Sequence, residues 1–161
     1  GHFLRLMGMP GVALDWTRQL LRVIRKYLDS IFEKDPNAYV VVTGDFGDYP
    51  FAEPGEGKDH PLAILEGING EVRMTNLADR VDESERYDYL FQGGGVLVSH
   101  TLVSPALLKS VVAVDILHFN TPFPESIKWD TGTAIRASDR DPVEARFDLR
   151  PGKRSARAAS R

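Results

Sequence analysis

Val12-Ala-Leu-Asp-Trp-Thr-Arg-Gln-Leu-Leu-Arg-Val-Ile-Arg-Lys-Tyr-Leu-Asp-Ser-Ile-Phe-Glu-Lys34, then Asp35-Pro-Asn-Ala38, then Tyr39-Val-Val-Val-Thr43: this stretch decides the fold class. In its first part Trp16, Leu20, Ile24, Tyr27, Leu28, Ile31 and Phe32 recur at spacings of three and four, which predicts a helix over 12–34 with one broad buried stripe. Arg18, Arg22, Arg25, Lys26, Asp29 and Glu33 cover its other side. Pro36 cannot continue the helical ladder and biases Asp35 away from helix, so the helix ends there. The run Tyr39 to Thr43 is β-branched without polar alternation, the pattern of a strand covered on both faces.

Working outward, residues 61–81 read as short helical segments around a Gly67-Ile-Asn-Gly70 turn. Residues 86–91, 96–103 and 111–119 read as strands, with Gly93-Gly-Gly95 as a hairpin connection. Ser104-Pro-Ala-Leu-Leu-Lys109 reads as a short helix, with Ser at the cap and Pro in the first turn. Val143, Ala145, Phe147 and Leu149 alternate with Glu144, Arg146 and Asp148, the mark of a half-buried strand. Helix, strand, short helices and then several strands predict a mixed α/β (α+β) layer, with helices on one face of a sheet.

The 161 residues fit one domain, with 42% hydrophobic and 27% charged residues. No apolar run approaches the roughly 18 residues that span a bilayer. The absence of cysteine excludes disulfides, thiolate zinc sites and a cysteine nucleophile. The net charge of −3 conceals an asymmetry: Arg150 to Arg161 carry five Lys/Arg and no acid, leaving 15 basic and 23 acidic residues in the body. Residues 1–149 are therefore read as the folded part and 150–161 as a basic tail. The tail is either a solvated disordered end or an arm for phosphate and anionic surfaces. The acidic body is no nucleic-acid binder by charge alone.

Two acidic turns carry the candidate chemistry. Thr43-Gly-Asp-Phe-Gly-Asp48 leaves a predicted strand, and Ala137-Ser-Asp-Arg-Asp-Pro142 enters one. Carboxylates fixed at strand ends suit a divalent cation, which takes hard oxygen ligands. On spacing alone the same turns are better explained as Asx turns, which are common at strand ends. Phe46 to Pro61 reads as a long loop of the kind that often carries function. His60 within it reads as solvated, His100 and His118 as satisfied sheet histidines, and Trp16 as core. Trp129, in an irregular stretch, could stack on a ligand.

Val41-Val-Thr-Gly-Asp-Phe46, Arg86-Tyr-Asp-Tyr-Leu-Phe-Gln-Gly93, His100-Thr-Leu-Val-Ser-Pro105 and Arg136-Ala-Ser-Asp-Arg-Asp-Pro-Val143 follow one another in an order known from one family. Together with Gly1-His2-Phe3, which is similar to the strand before the family's long helix, they resemble the C-terminal half of the endonuclease/exonuclease/phosphatase superfamily. The wording is closest to its secreted bacterial nuclease branch, which suggests an extracellular setting. The resemblance implies one sheet-plus-helix half of a four-layer α/β/β/α sandwich. It implies a phosphodiesterase using Mg²⁺ or Mn²⁺, acting on nucleic acid or another phosphoester.

Carried over position by position, the resemblance assigns Asp45 to orienting the attacking water and the phosphate. Asp139 would bind the metal or relay a proton, and His2 would assist phosphate binding. Three positions depart from the pattern: Gly47 stands for an asparagine, Ser99 for an aspartate and Arg140 for a histidine. Guanidinium stays protonated, so Arg140 cannot serve as acid or base, although it can offer a fork of donors to phosphate or pair with Asp139 or Asp141. Single losses of such groups cost about 10²–10⁴ in rate. The expectation is therefore a degenerate phosphodiesterase, or a catalytically inactive binding or interaction module on the same scaffold. The start at Gly1, without Met, and the motif order read as a cut through a larger domain. Its missing half, or a second copy, would cover an exposed apolar sheet face.

Overall fold

The computed structural model describes residues 12–46, 62–67, 73–91, 93–130, 132–133 and 135–150. His2, Gly47, His60, most of the Phe46–Pro61 loop, the turn after Gly67 and the tail after Arg150 lie outside the described residues, as does the side chain of Trp16.

Helix α1 spans Val12–Lys34, the predicted range. It ends as Asp35 N–H reaches Ile31 O (2.9 Å) and the Asp35 carboxylate takes Asn37 N–H (2.9 Å), an Asx turn around Pro36. Leu21 and Leu28 are buried against Leu62, Leu65, Met74 and Leu102, with Ile24, Phe32, Val40 and Val42 packed around them. The single buried stripe needs correction: Leu20 and Tyr27 are 59% and 69% exposed. The apolar arc of α1 is wider than the surface beneath it, so one flank stays uncovered.

That surface is a three-stranded antiparallel sheet, ordered β1 (Val41–Asp45), β5 (Ser99–Val103), β2 (Thr75–Asn76). Strand β1 starts two residues later than predicted and lies at the sheet edge. It is not covered on both faces: Val41 and the preceding Tyr39 are about half exposed. Its continuous Val run fits one packed face and one open one. Alternation along β5 sends Leu102 into the α1 cluster and Val103 into a second cluster. This second cluster joins Leu77, Ala78, Val81, Leu97, Leu107, Val114 and Ile116. Much of the face expected to be bare is thus covered by the chain itself.

The short elements follow local chemistry. Helix α2 is Ala63–Glu66, and a 3₁₀ turn at Leu77–Arg80 is capped by Asn76, whose side chain accepts from Ala78 N–H. Helix α3, Pro105–Leu108, has Pro in its first turn and Ser104 as cap. The Ser104 hydroxyl also donates to Ala38 O (2.7 Å) and accepts from Val40 N–H (3.1 Å), pinning the entry to β1.

The remaining strands form two antiparallel pairs: β3 (Tyr89–Phe91) with β4 (Gly94–Val96), and β6 (Val111–Ile116) with β7 (Val143–Phe147). The predicted strand 96–103 is therefore two strands. Between them the Asp88 carboxylate accepts from Val98 N–H (2.8 Å) and Ser99 N–H (3.1 Å), so the chain leaves one sheet and enters another. Strand β6 stops at Ile116, before His118 and Phe119. The class is mixed α+β, as expected, but its strands form three small sheets rather than one. No described helix is long and apolar enough to cross a membrane.

Candidate active site

Asp45 closes β1 opposite Ser99 on β5, so the sheet itself fixes these two predicted positions side by side. Asp139 and Arg140 come from the loop before β7. That loop is tied to β3 by Asp141 N–H donating to Asp88 O (2.8 Å). The two acidic turns do converge, and Arg140 joins them. Its Nη2 lies 3.1 Å from Asp45 Oδ2, and its Nη1 lies 3.2 Å from Asp139 Oδ2. The guanidinium carbon stands 4.1 Å from the centre of the Tyr89 ring, a cation–π placement. Of the two pairings weighed from sequence, Arg140 takes Asp139 and not Asp141, and it adds Asp45.

The structure brings Asp88 into the same locus. Its side chain is fully buried on the Val98 and Ser99 amides. Burial pushes its carboxyl above the ordinary carboxylate value, partly offset by hydrogen bonds from the Ser99 side chain and the two amides and by the Arg140 charge. Ser99 was expected to leave the site short of a carboxylate; instead Asp88, one strand away, supplies one directly on Ser99. The sequence held a signal for it: an acid inside Tyr87-Asp-Tyr-Leu-Phe91 must be buried with partners or face outward.

Asp141 anchors the loop from below. It accepts from Asn120 N–H (2.7 Å), Thr121 N–H (3.1 Å), the Thr121 hydroxyl and His118 Nδ1 (2.8 Å). Burial pushes its carboxyl up, but the bonds from Thr121, His118 and Asn120 together outweigh that and hold it below the ordinary value. His118 stacks on Tyr87 (4.1 Å, 15°), and its Nε2 lies 3.3 Å from Glu85. The expectation of a satisfied sheet histidine holds only in part: Nδ1 is bonded to Asp141, Nε2 is buried without a hydrogen bond, and the residue sits past the strand end. His100 is satisfied within β5, with Nδ1 3.2 Å from Asn76 Nδ2. Trp129 is 74% exposed, at the end of a 3₁₀ turn.

The described donors do not suit a magnesium or manganese ion as they stand. A fixed positive charge already fills the gap between Asp45 and Asp139, and a divalent cation there would meet it at close range. Among the described residues no group of three or more His, Asp or Glu side chains could hold a metal. What the arrangement does chemically is neutralise two carboxylates and lock the loop before β7 onto the ends of β1 and β3. His2 and Gly47, the remaining predicted positions, lie outside the described residues. Comparison of the chain with protein-family models, with curated proteins and with solved structures gives no match.

Proposed function

We propose that this chain is a catalytically silent interaction module on a nuclease-like scaffold, one sheet-plus-helix half of an α/β/β/α sandwich derived from a metal-dependent phosphodiesterase. The observation that carries the reading is the Arg140 guanidinium bridging Asp45 and Asp139 at 3.1 and 3.2 Å. In a metal-dependent phosphodiesterase those carboxylates bind a divalent ion or orient water. Here an internal cation stands between them, permanently charged and unable to accept or give a proton. Ser99 and Asp88 fit the same reading, because the buried carboxylate has turned to holding main-chain amides.

The test is a turnover assay with Mg²⁺ or Mn²⁺ on plasmid DNA and on a chromogenic phosphodiester, beside Mn²⁺ binding followed by electron paramagnetic resonance. The chain should hydrolyse neither substrate faster than its Asp45→Asn variant. It should bind Mn²⁺ only after Arg140→Ser opens the carboxylate pair. Metal-dependent turnover that Asp45→Asn abolishes would overturn the reading and make the chain a working phosphodiesterase.

A further inference from the structure

We infer that two copies of this chain associate through the outer edge of β1 and the uncovered flank of α1, forming one continuous sheet. The inference is carried by strand and helix geometry and does not depend on the proposed loss of catalysis.

The edge comes first. Among the described residues no strand pairs with β1 on the side away from β5. Ser104 N–H reaches Val40 O and Phe46 N–H reaches Val98 O, so the main-chain groups of residues 40 and 46, and by alternation those of 42 and 44, turn toward β5. The groups of Val41 and Thr43 turn outward. An antiparallel partner centred on Thr43 sets Thr43 against Thr43 of the partner subunit and Val41 against Asp45 of the partner subunit. All these positions are odd, so a β1 strand is complementary to itself in this register. From Tyr39 to Thr43 the edge has no proline, lysine or bulge, and the one charge on the strand is at its last residue, Asp45.

The helix supplies the second observation. On one flank of α1, Arg25 Nη1 donates to Ile64 O (2.9 Å) and Asp29 lies 3.8 Å from Arg73. The segment from α2 to Arg73 leads into β2, so this flank faces the β2 side of the sheet. The opposite flank, over the β1 edge, carries Leu20, Val23 and Tyr27, which are 59–69% exposed.

The spacing then fits. Cluster contacts to both Val42 and Leu102 place α1 above the β1–β5 pair. Joining two sheets at β1 sets the two helices about two strand spacings apart, roughly 9.6 Å, inside the roughly 8–10 Å at which helices pack. A two-fold axis through Thr43, perpendicular to the sheet, keeps both helices on one side and antiparallel, with their apolar flanks in contact. Leu20, Val23 and Tyr27 from two copies would bury roughly 700 Å² on the helix side. The paired β1 strands add main chain and part of Tyr39 and Val41 on the other face of the sheet, since Val40 and Val42 are the ones that pack on α1. Together these approach the lower bound of about 1,200 Å² for a specific interface.

Sedimentation velocity over a dilution series tests this on the full chain, with two variants. Thr43→Pro removes an outward N–H that β5 does not use, and Tyr27→Glu puts a charge into the helix contact. The expected result is a dimer of twice 17.9 kDa. Each substitution acts twice across the axis, so Thr43→Pro should raise the dissociation constant about tenfold and Tyr27→Glu more. Far-UV circular dichroism should be unchanged for Tyr27→Glu, which decides the matter if Thr43→Pro misfolds. A monomer at every concentration would overturn the inference, including the case where another segment of this chain covers the flank and Tyr27→Glu lowers the melting temperature instead. So would a dimer that Tyr27→Glu leaves unchanged.

Discussion

Replacing Asp141 by Ala should damage this protein more than its distance from the hydrophobic clusters suggests. Its side chain lies within a residue only 2% exposed, and it is the common acceptor for Asn120 N–H, Thr121 N–H, the Thr121 hydroxyl and His118 Nδ1. Alanine leaves those donors without their acceptor. Thr121 is itself 3% exposed, so water cannot readily replace the carboxylate there, whereas Asn120 is only half-buried. A buried donor left unpaired costs about 1–3 kcal/mol, so two at Thr121 and a partial loss at Asn120 and His118 give about 3–5 kcal/mol. For a chain of this size that is a fall in melting temperature of roughly 6–20 °C. Urea unfolding followed by circular dichroism measures it, with Asp115→Ala as control, since Asp115 is exposed and, among the described residues, pairs with the exposed Arg146. The effect also has a sign in pH. Hydrogen bonding outweighs burial and holds the folded Asp141 below its unfolded value. Its contribution is therefore complete above the unfolded carboxylate value, about 3.9, and is lost as pH falls through the folded value. The gap between wild type and variant should narrow on acidification. A loss under about 1 kcal/mol at neutral pH, or a gap that widens in acid, would refute this account of the loop.

The neighbouring carboxylate predicts the opposite slope. Burial holds folded Asp88 above its unfolded value, so its ionisation costs stability as pH rises, and Asp88→Asn should be more damaging at pH near 4 than near 7 in the same unfolding assay. Gly95→Ala should destabilise the β3–β4 hairpin by about 1–3 kcal/mol, because the new Cβ would stand 2.9 Å from Tyr87 Cγ. A thermal melt checks it, and an unchanged melting temperature would refute it.

Legibility of the fold followed the reach of each signal. Helix α1 was readable because its period, its Asp35-Pro36 stop and its length all lie within one stretch. The Ser104 cap was readable for the same reason. The break at Leu97-Val98 was not, because Val96 to Val103 is an unbroken β-forming run. What splits it is a carboxylate ten residues earlier, and local propensity carries no trace of that contact. The exposure of Leu20 and Tyr27 was likewise hidden, since periodicity shows that a face is apolar but not how much of it finds a partner.

For the site, the sequence singled out Asp45, Ser99, Asp139 and Arg140, which the structure brings to one place, but not the buried Asp88 beside them. Taken alone, Ser99 reads as the loss of a charge and Arg140 as the loss of a proton carrier. Together with Asp88 they make a balanced set: Asp45 and Asp139 lie on Arg140, while the buried Asp88 is held by Ser99 and two amides. A buried carboxylate survives only where hydrogen bonds or positive charge repay its desolvation. An arginine at position 140 adds that charge without a bound ion, at the expense of a group that could exchange protons. On the proposed reading, the arginine that would end the family's chemistry is also the cation that holds the loop before β7 to the sheet. On this reading Arg140→Ser without added metal should loosen that loop, while Asp45→Asn should loosen it less, because Asp139 and the Tyr89 ring still hold the guanidinium.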